Sequence, residues 1–263
     1  MESTTKKYKA IISSDWSECL APCSPFDFIS FNYPQLTSRL EAIFKQYTGN
    51  HISLGQAARQ IQKMLPDPIT ENQMDAYLAH SFSTYPGVPE LIEWCLRKDI
   101  LFMINTTGMA GYFQRICAKG LVPELPLLSA HPMVRYPQQN SDPNHIYNLF
   151  EIEDKAKNTR AAIKAHRIPP NKIVIMGDSG GDGPHFQWGA RNGATLIGSM
   201  VKPSLERYCA DQDIAITHRF GHTYAAGENV DPEKESAYTF ADLIEIIEHV
   251  FGPLPFGPQA RQP

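Results

Sequence analysis

Three short segments of this 263-residue chain place reactive side chains directly after apolar runs. The run YKAIISSD, residues 8–15, ends in Asp15. ILFMIN, 100–105, leads into Thr106, Thr107 and Gly108. KIVIMG, 172–177, leads into GDSGGD, which sets Asp178 and Asp182 four residues apart on a glycine-rich turn. A lone Asp after a strand is ordinarily a turn residue or helix cap, so it is the recurrence that points to a site. Acids gathered at neighbouring strand ends repel one another unless a cation lies among them. A hard oxygen-ligand set with open water positions suits Mg²⁺.

The elements that must bring these residues together follow from periodicity. Strands are expected at 8–15, 100–105, 125–130, 172–177 and 194–199, with a short one at DIAIT, 213–217. Their runs are apolar without polar alternation, as in parallel strands buried on both faces. Helices are expected at 88–98, 109–118, 154–167, 184–190 and 203–210, with one long amphipathic helix at 233–251. Residues 131–149 read as loops with room for a hairpin. Strands alternating with helices imply an α/β fold: a Rossmann-like parallel sheet with helices on both faces. Ligands bind such sheets at the carboxyl ends of the strands, where Asp15, Thr106 and Asp178 fall. Between the first two strands the pattern is helical only. Leu36, Leu40, Ile43, Phe44 and Tyr47 form one stripe, and Ser53/Gln56 and Thr70/Gln73 have capping-box spacing. The expected organisation is an α/β core over 1–19 plus 85–252, a small all-helical cap domain over 20–84, and a disordered tail at 253–263.

Composition narrows the function. A net charge of −4 provides no basic field for nucleic acid. No apolar run reaches the ~18 residues of a membrane span, and the start of the chain lacks a signal-peptide pattern. Five cysteines, an odd number without secretory context, fit reduced thiols in a cytoplasm. Cys19 and Cys23 have no Cys/His partner pair at metal-site spacing and are read as structural.

The order strand-Asp15, helical insertion, strand-Thr, Lys, GDSGGD resembles the haloacid dehalogenase superfamily from about residue 8 to residue 200. Within it, HISLGQAARQIQKMLP and INTTGM resemble the phosphoserine phosphatase group, whose members carry a helical cap of the first type. The resemblance implies an Mg²⁺-dependent hydrolase, acting as monomer or homodimer on a small phosphorylated metabolite through an aspartyl-phosphate. It makes Asp15 the nucleophile and Asp15, the Ser17 carbonyl and Asp178 the Mg²⁺ ligands, with Asp182 completing or supporting the shell. Thr106 would bond the transferring phosphoryl oxygens, with Thr107 and Gly108 beside it. Lys155, or alternatively Lys157, would neutralise the developing charge.

One position departs from that pattern. Phosphatases of the family carry a second Asp two residues after the nucleophile, as general acid and base, and here it is Ser17. Such help is worth roughly 10²–10⁴-fold. The alternatives are therefore a non-catalytic or impaired ligand-binding protein on the same fold, or a phosphonate- or halide-cleaving variant. The phosphonate branch needs a cap lysine, for which Lys45 and Lys63 are available. Glu18 is a weak substitute for the acid. Trp16 and the aromatic run FDFISFNYP read as cap packing, His185 as a helix-start residue, and His218 and His222 as structural or surface.

Overall fold

A computed structural model describes residues 7–48 and 51–252; the tail expected at 253–263 lies outside them. Seven parallel strands form one sheet in the order β4-β3-β2-β1-β5-β6-β7. They are β1 (Ala10–Ser14), β2 (Ile100–Met109), β3 (Leu127–His131), β4 (His145–Asn148), β5 (Ile173–Gly177), β6 (Thr195–Ser199) and β7 (His218–Phe220). Every residue of β1, β2 and β5 is buried, which is why those sequences are continuous apolar runs.

Side-chain alternation divides the core into two. Ile12, Phe102, Ile104, Val174 and Met176 face one side and pack with α5 (Val88–Arg97), α6 (Ala110–Ala118) and α11 (Leu243–Phe251). Ile11, Leu101, Met103, Ile173 and Ile175 face the other and pack with α7 (Asp154–His166), α8 (Gly183–Arg191) and α9 (Pro203–Asp211).

Between β1 and α5 lie α1 (Asp27–Asn32), a 3₁₀ turn at Pro34–Leu36, α2 (Thr37–Thr48), α3 (Leu54–Met64) and α4 (Glu71–Ser81). Both capping boxes form: Ser53 accepts from the Gln56 N–H and Thr70 from the Gln73 N–H, each with the reciprocal bond. Two attachments hold these helices against the sheet. Glu151 accepts from Ser53 Oγ at 2.8 Å and from the Gly55 N–H at 3.2 Å, placing a carboxylate at the amino end of α3. Arg115 of α6 grips Asp75 and Glu71 of α4 at 2.8 and 2.6 Å.

Several expected elements are corrected. The aromatic run FDFISFNYP, for which no helix is expected from periodicity, contains α1, which buries Phe28 and Ile29. The hairpin allowed for in 131–149 is instead β4, a half-exposed edge strand parallel to β3. Ile214 and Ile216 of DIAIT pack into the core, but the ladder with β6 starts only at His218. The single helix expected at 233–251 is broken into α10 (Pro232–Ser236), a 3₁₀ turn at Phe240–Asp242, and α11. The break lies where the Phe240 N–H bonds the Pro86 carbonyl at 2.6 Å. None of the described helices is long and apolar enough to cross a membrane.

Candidate active site

Parallel strands end on one edge of the sheet, and three carboxylates meet there. Asp15 follows β1, Asp178 follows β5, and Asp182 closes the 3₁₀ turn after it. One oxygen of each lies within 4.8 Å of the others, and all three side chains are buried. The approach of Asp182 depends on Gly177, where a Cβ would fall 2.4 Å from the Asp182 carboxyl carbon.

Lys155, in the first turn of α7, reaches between two of the acids. Its Nζ donates to Asp15 Oδ2 at 2.8 Å and to Asp182 Oδ1 at 2.6 Å, with no exposure at all. Burial alone would lower its pKa, but the two carboxylates overcome that and hold it raised, so the ammonium stays charged. Lys157, the alternative, has its side chain 79% exposed beside Asp154. Lys155 is anchored from below: Asn105 Nδ2 lies 2.9 Å from its backbone carbonyl and 3.0 Å from Thr159 Oγ1. Thr159 in turn meets Ser13 Oγ at 2.8 Å and His185 Nε2 at 3.0 Å. His185 is fully buried in this network, and burial, then the nearby Lys155 charge, pushes its pKa down to about 3.

A second ammonium belongs to the site. Lys202, three residues past β6, pairs with Asp178 Oδ2 at 3.1 Å and with Glu18 Oε2. Burial opposes its charge, but Asp178 and Glu18 raise its pKa. Glu18 sits in the left-handed region at φ 56°, inside a turn where the Cys19, Leu20 and Ala21 N–H groups all bond the Trp16 carbonyl. These backbone bonds leave the Ser17 carbonyl untouched.

The donor set fits a hard divalent cation. Asp178 Oδ1 is buried with no hydrogen-bond partner, and burial raises that residue's pKa despite Lys202. Four carboxylates (Asp15, Glu18, Asp178, Asp182) against two ammonium groups (Lys155, Lys202) leave two uncompensated negative charges. Asp178 Oδ1 is the carboxylate oxygen with no partner, Ser17 shares with Asp178 the lining of the site's cavity, and Asp15 accepts one bond at each oxygen, from the Trp16 N–H and from Lys155. Asp182 is otherwise engaged: Oδ1 accepts from Lys155, and Oδ2 from the Asp178 and Ser179 N–H groups at 3.0 and 3.4 Å.

These residues open into a cavity of about 300 Å³. Asp15, Ser17, Thr107, Lys155, Asp178 and Lys202 line it, but Thr106 and Gly108 do not. Thr106 is fully buried and its Oγ1 accepts the Gly108 N–H at 3.1 Å. Asn105 faces Lys155 and Thr107, two residues on, lies toward the cavity, within the stretch from Asn105 to Met109 where the β2–β3 register shifts. Of the three expected residues, Thr107 is the one that lines the cavity. Gly108 lines a separate narrow slot with Trp16, Tyr112 and Phe113. Trp16 packs edge-on against Phe113 at 5.5 Å. Among the residues missed, Lys202 had the signal of following an apolar strand. Tyr47 of α2 had been absorbed into an apolar stripe, yet it lines the cavity within hydrogen-bonding reach of Thr107.

No family model and no curated protein matches the sequence. Solved structures do match in fold. One is a phosphoserine phosphatase held as an analogue of its phospho-aspartyl intermediate: 14% identity, TM-score 0.63, covering 91% of this chain and 99% of that one. A substrate-bound phosphoserine phosphatase gives 18% identity and TM-score 0.59 over 80% and 94% of the two chains. A HAD family hydrolase from Salmonella enterica subsp. enterica serovar Typhi gives 15% and 0.66 over 92% and 72%. The chain thus has the fold of the haloacid dehalogenase superfamily, in its phosphoserine phosphatase-like form.

Proposed function

We propose that this protein is a phosphatase that uses Mg²⁺ and hydrolyses a small phosphorylated metabolite through an aspartyl-phosphate on Asp15. The carrying observation is the buried Asp15–Asp178–Asp182 cluster with Lys155 between two of its members. In this reading Asp15 Oδ2 attacks phosphorus and displaces the ester oxygen, which leaves as the alcohol with a proton from water. A second water then cleaves the aspartyl-phosphate to release phosphate. The other Asp15 oxygen is held by the Trp16 N–H at 2.6 Å. Lys155 and the Thr107 hydroxyl stabilise the equatorial phosphoryl oxygens. Asp182 keeps Lys155 charged and aimed. Mg²⁺, held by Asp15, Asp178 and the Ser17 carbonyl, supplies charge neutralisation at the phosphoryl group. The helical segment 20–84 acts as a cap over the core formed by 1–19 and 85–252. All five cysteines are free, in keeping with a cytoplasmic setting.

The test is phosphate release from p-nitrophenyl phosphate with and without Mg²⁺. Asp15→Asn is expected to reduce it by about 10³-fold or more; turnover that survives this change removes the nucleophile.

A second reading, binding without efficient turnover, is favoured by Ser17. A serine hydroxyl has no pKa suited to proton transfer. The neighbouring Cys23 thiol is no substitute, since burial, and then Asp27, push its pKa up to about 12. Calorimetry that detects ligand binding in the absence of release supports this reading. A phosphonate-cleaving role is less well supported, because neither Lys45 nor Lys63 lines the cavity.

A further inference from the structure

The cavity lining combines two chemistries. Asp15, Glu18, Lys155, Asp178 and Lys202 supply charge, and Thr107, Tyr47 and three serines supply hydrogen bonding. Pro25, Phe44, Ile152 and Val230 supply apolar surface, with Val230 48% exposed. Both lysines are committed, Lys155 to Asp15 and Asp182, Lys202 to Asp178 and Glu18. Counted with Glu18 and Asp182, the site carries two uncompensated negative charges, which a divalent cation would neutralise, leaving a phosphoryl dianion to take up the attraction of that cation and the lysines. A second anionic group on the same ligand, such as the carboxylate of a phosphorylated amino or hydroxy acid, meets no uncommitted cation among the described lining residues. Enclosing an unpaired charge carries a severe desolvation penalty. An ammonium on the ligand fares no better, because each acid of the lining, Asp15, Glu18 and Asp178, already has a lysine partner. Apolar side chains reward neutral carbon surface instead.

We infer that the site takes monophosphate esters whose organic portion is uncharged and partly apolar, contacted by Phe44, Ile152 and Val230. This rests on the phosphatase reading of the same site and adds the class of leaving group to it.

Binding of non-hydrolysable phosphonates tests it whether or not Ser17 permits turnover. Calorimetry on the Mg²⁺-treated full chain compares phenylphosphonate with 2-amino-4-phosphonobutanoate and 2-aminoethylphosphonate, with orthophosphate as reference. Phenylphosphonate is expected to bind about tenfold tighter, or more, than either charged analogue. Val230→Lys, which adds an ammonium at an exposed position, is expected to narrow the gap to the carboxylate analogue by roughly threefold. Equal or tighter binding of either charged analogue overturns the inference while leaving the phosphatase reading intact, provided orthophosphate binds. If neither orthophosphate nor any phosphonate binds, the phosphate site itself fails and this inference falls with it.

Discussion

Replacing Lys155 by methionine removes the charge while filling nearly the same volume, so the response is electrostatic rather than a cavity effect. The ammonium is fully enclosed and holds Asp15 at 2.8 Å and Asp182 at 2.6 Å. Asp182 retains two backbone N–H donors and Asp15 retains one, so neither carboxylate is stripped bare. Both nevertheless lose their counter-charge in a buried cluster that already includes Asp178. Removing one partner from a buried ion pair costs about 3–5 kcal/mol. With a urea slope near 3 kcal/mol/M, the unfolding midpoint should fall by about 1–1.7 M. Because the ammonium's folded pKa is raised above 10.5, its contribution is complete at neutral pH and is lost only in strongly alkaline solution. Burial already raises the pKa of Asp182 against the pull of Lys155, so without that ammonium Asp182 should take up a proton more readily and the deficit should shrink as pH falls from 7 toward 5. Mg²⁺ should also stabilise the variant more than the parent, since one further negative charge is left for it to compensate. The assay is urea unfolding of both proteins at pH 7 and pH 5, with and without Mg²⁺. A deficit below about 1 kcal/mol at pH 7, or one unchanged at pH 5, would refute the assignment of Lys155 as the counter-charge of the cluster.

Other consequences follow from single contacts. Tyr47→Phe removes the hydroxyl beside Thr107 and should cost about 1 kcal/mol or less in stability; steady-state kinetics should show KM raised more than kcat is lowered. Glu151→Ala strips the acceptor from Ser53 and from the amino end of α3. It should cost about 0.5–2 kcal/mol locally, read as faster hydrogen exchange over 54–64 without a matching change in β1 or β5. His185 binds a proton in the unfolded chain below about pH 6.5 but resists it in the fold down to about pH 3. The unfolded state therefore holds more protons across that window, and stability should drop as pH falls through it, by at most about 1.4 kcal/mol per unit. His185→Gln should flatten that slope in thermal unfolding between pH 6.5 and 5.

The parts of the fold that could be read from the sequence are those whose burial is complete. β1, β2 and β5 are enclosed on both faces, so their sequences are unbroken apolar runs, and the acids after them stand out against that background. β4 was hidden because it is a half-exposed edge strand, HIYN, with no apolar run to announce it. The C-terminal helix was overextended for the opposite reason. Its apolar spacing runs on through a break fixed by the distant Pro86 carbonyl, and Gly87 at φ 78° leaves room there that a Cβ, 2.4 Å from the Ala241 nitrogen, would fill. Which of Thr106 and Thr107 lines the cavity is a matter of strand direction. Two adjacent threonines satisfy any composition rule equally, and only the direction of Asn105, bonded to the Lys155 carbonyl, says which one faces the cluster.

Charge pairing was the least legible feature, and it bears on the residue next to Ser17. Counting acids in the sequence marks Asp15, Asp178 and Asp182, but nothing in the spacing says that a lysine from beyond β6 reaches back across the sheet edge. Lys202 does so, and in doing so it engages Glu18 as well as Asp178. The left-handed backbone at Glu18 and the bond from its N–H to the Ala21 carbonyl fix the turn that presents this carboxylate to Lys202. With its Oε2 on Lys202, Glu18 balances the charge of that ammonium together with Asp178. The same ion pairs take Lys202 out of contention as an anchor for a second acidic group on a ligand, so the charge pairing of this one lysine bears directly on the charge a leaving group can carry.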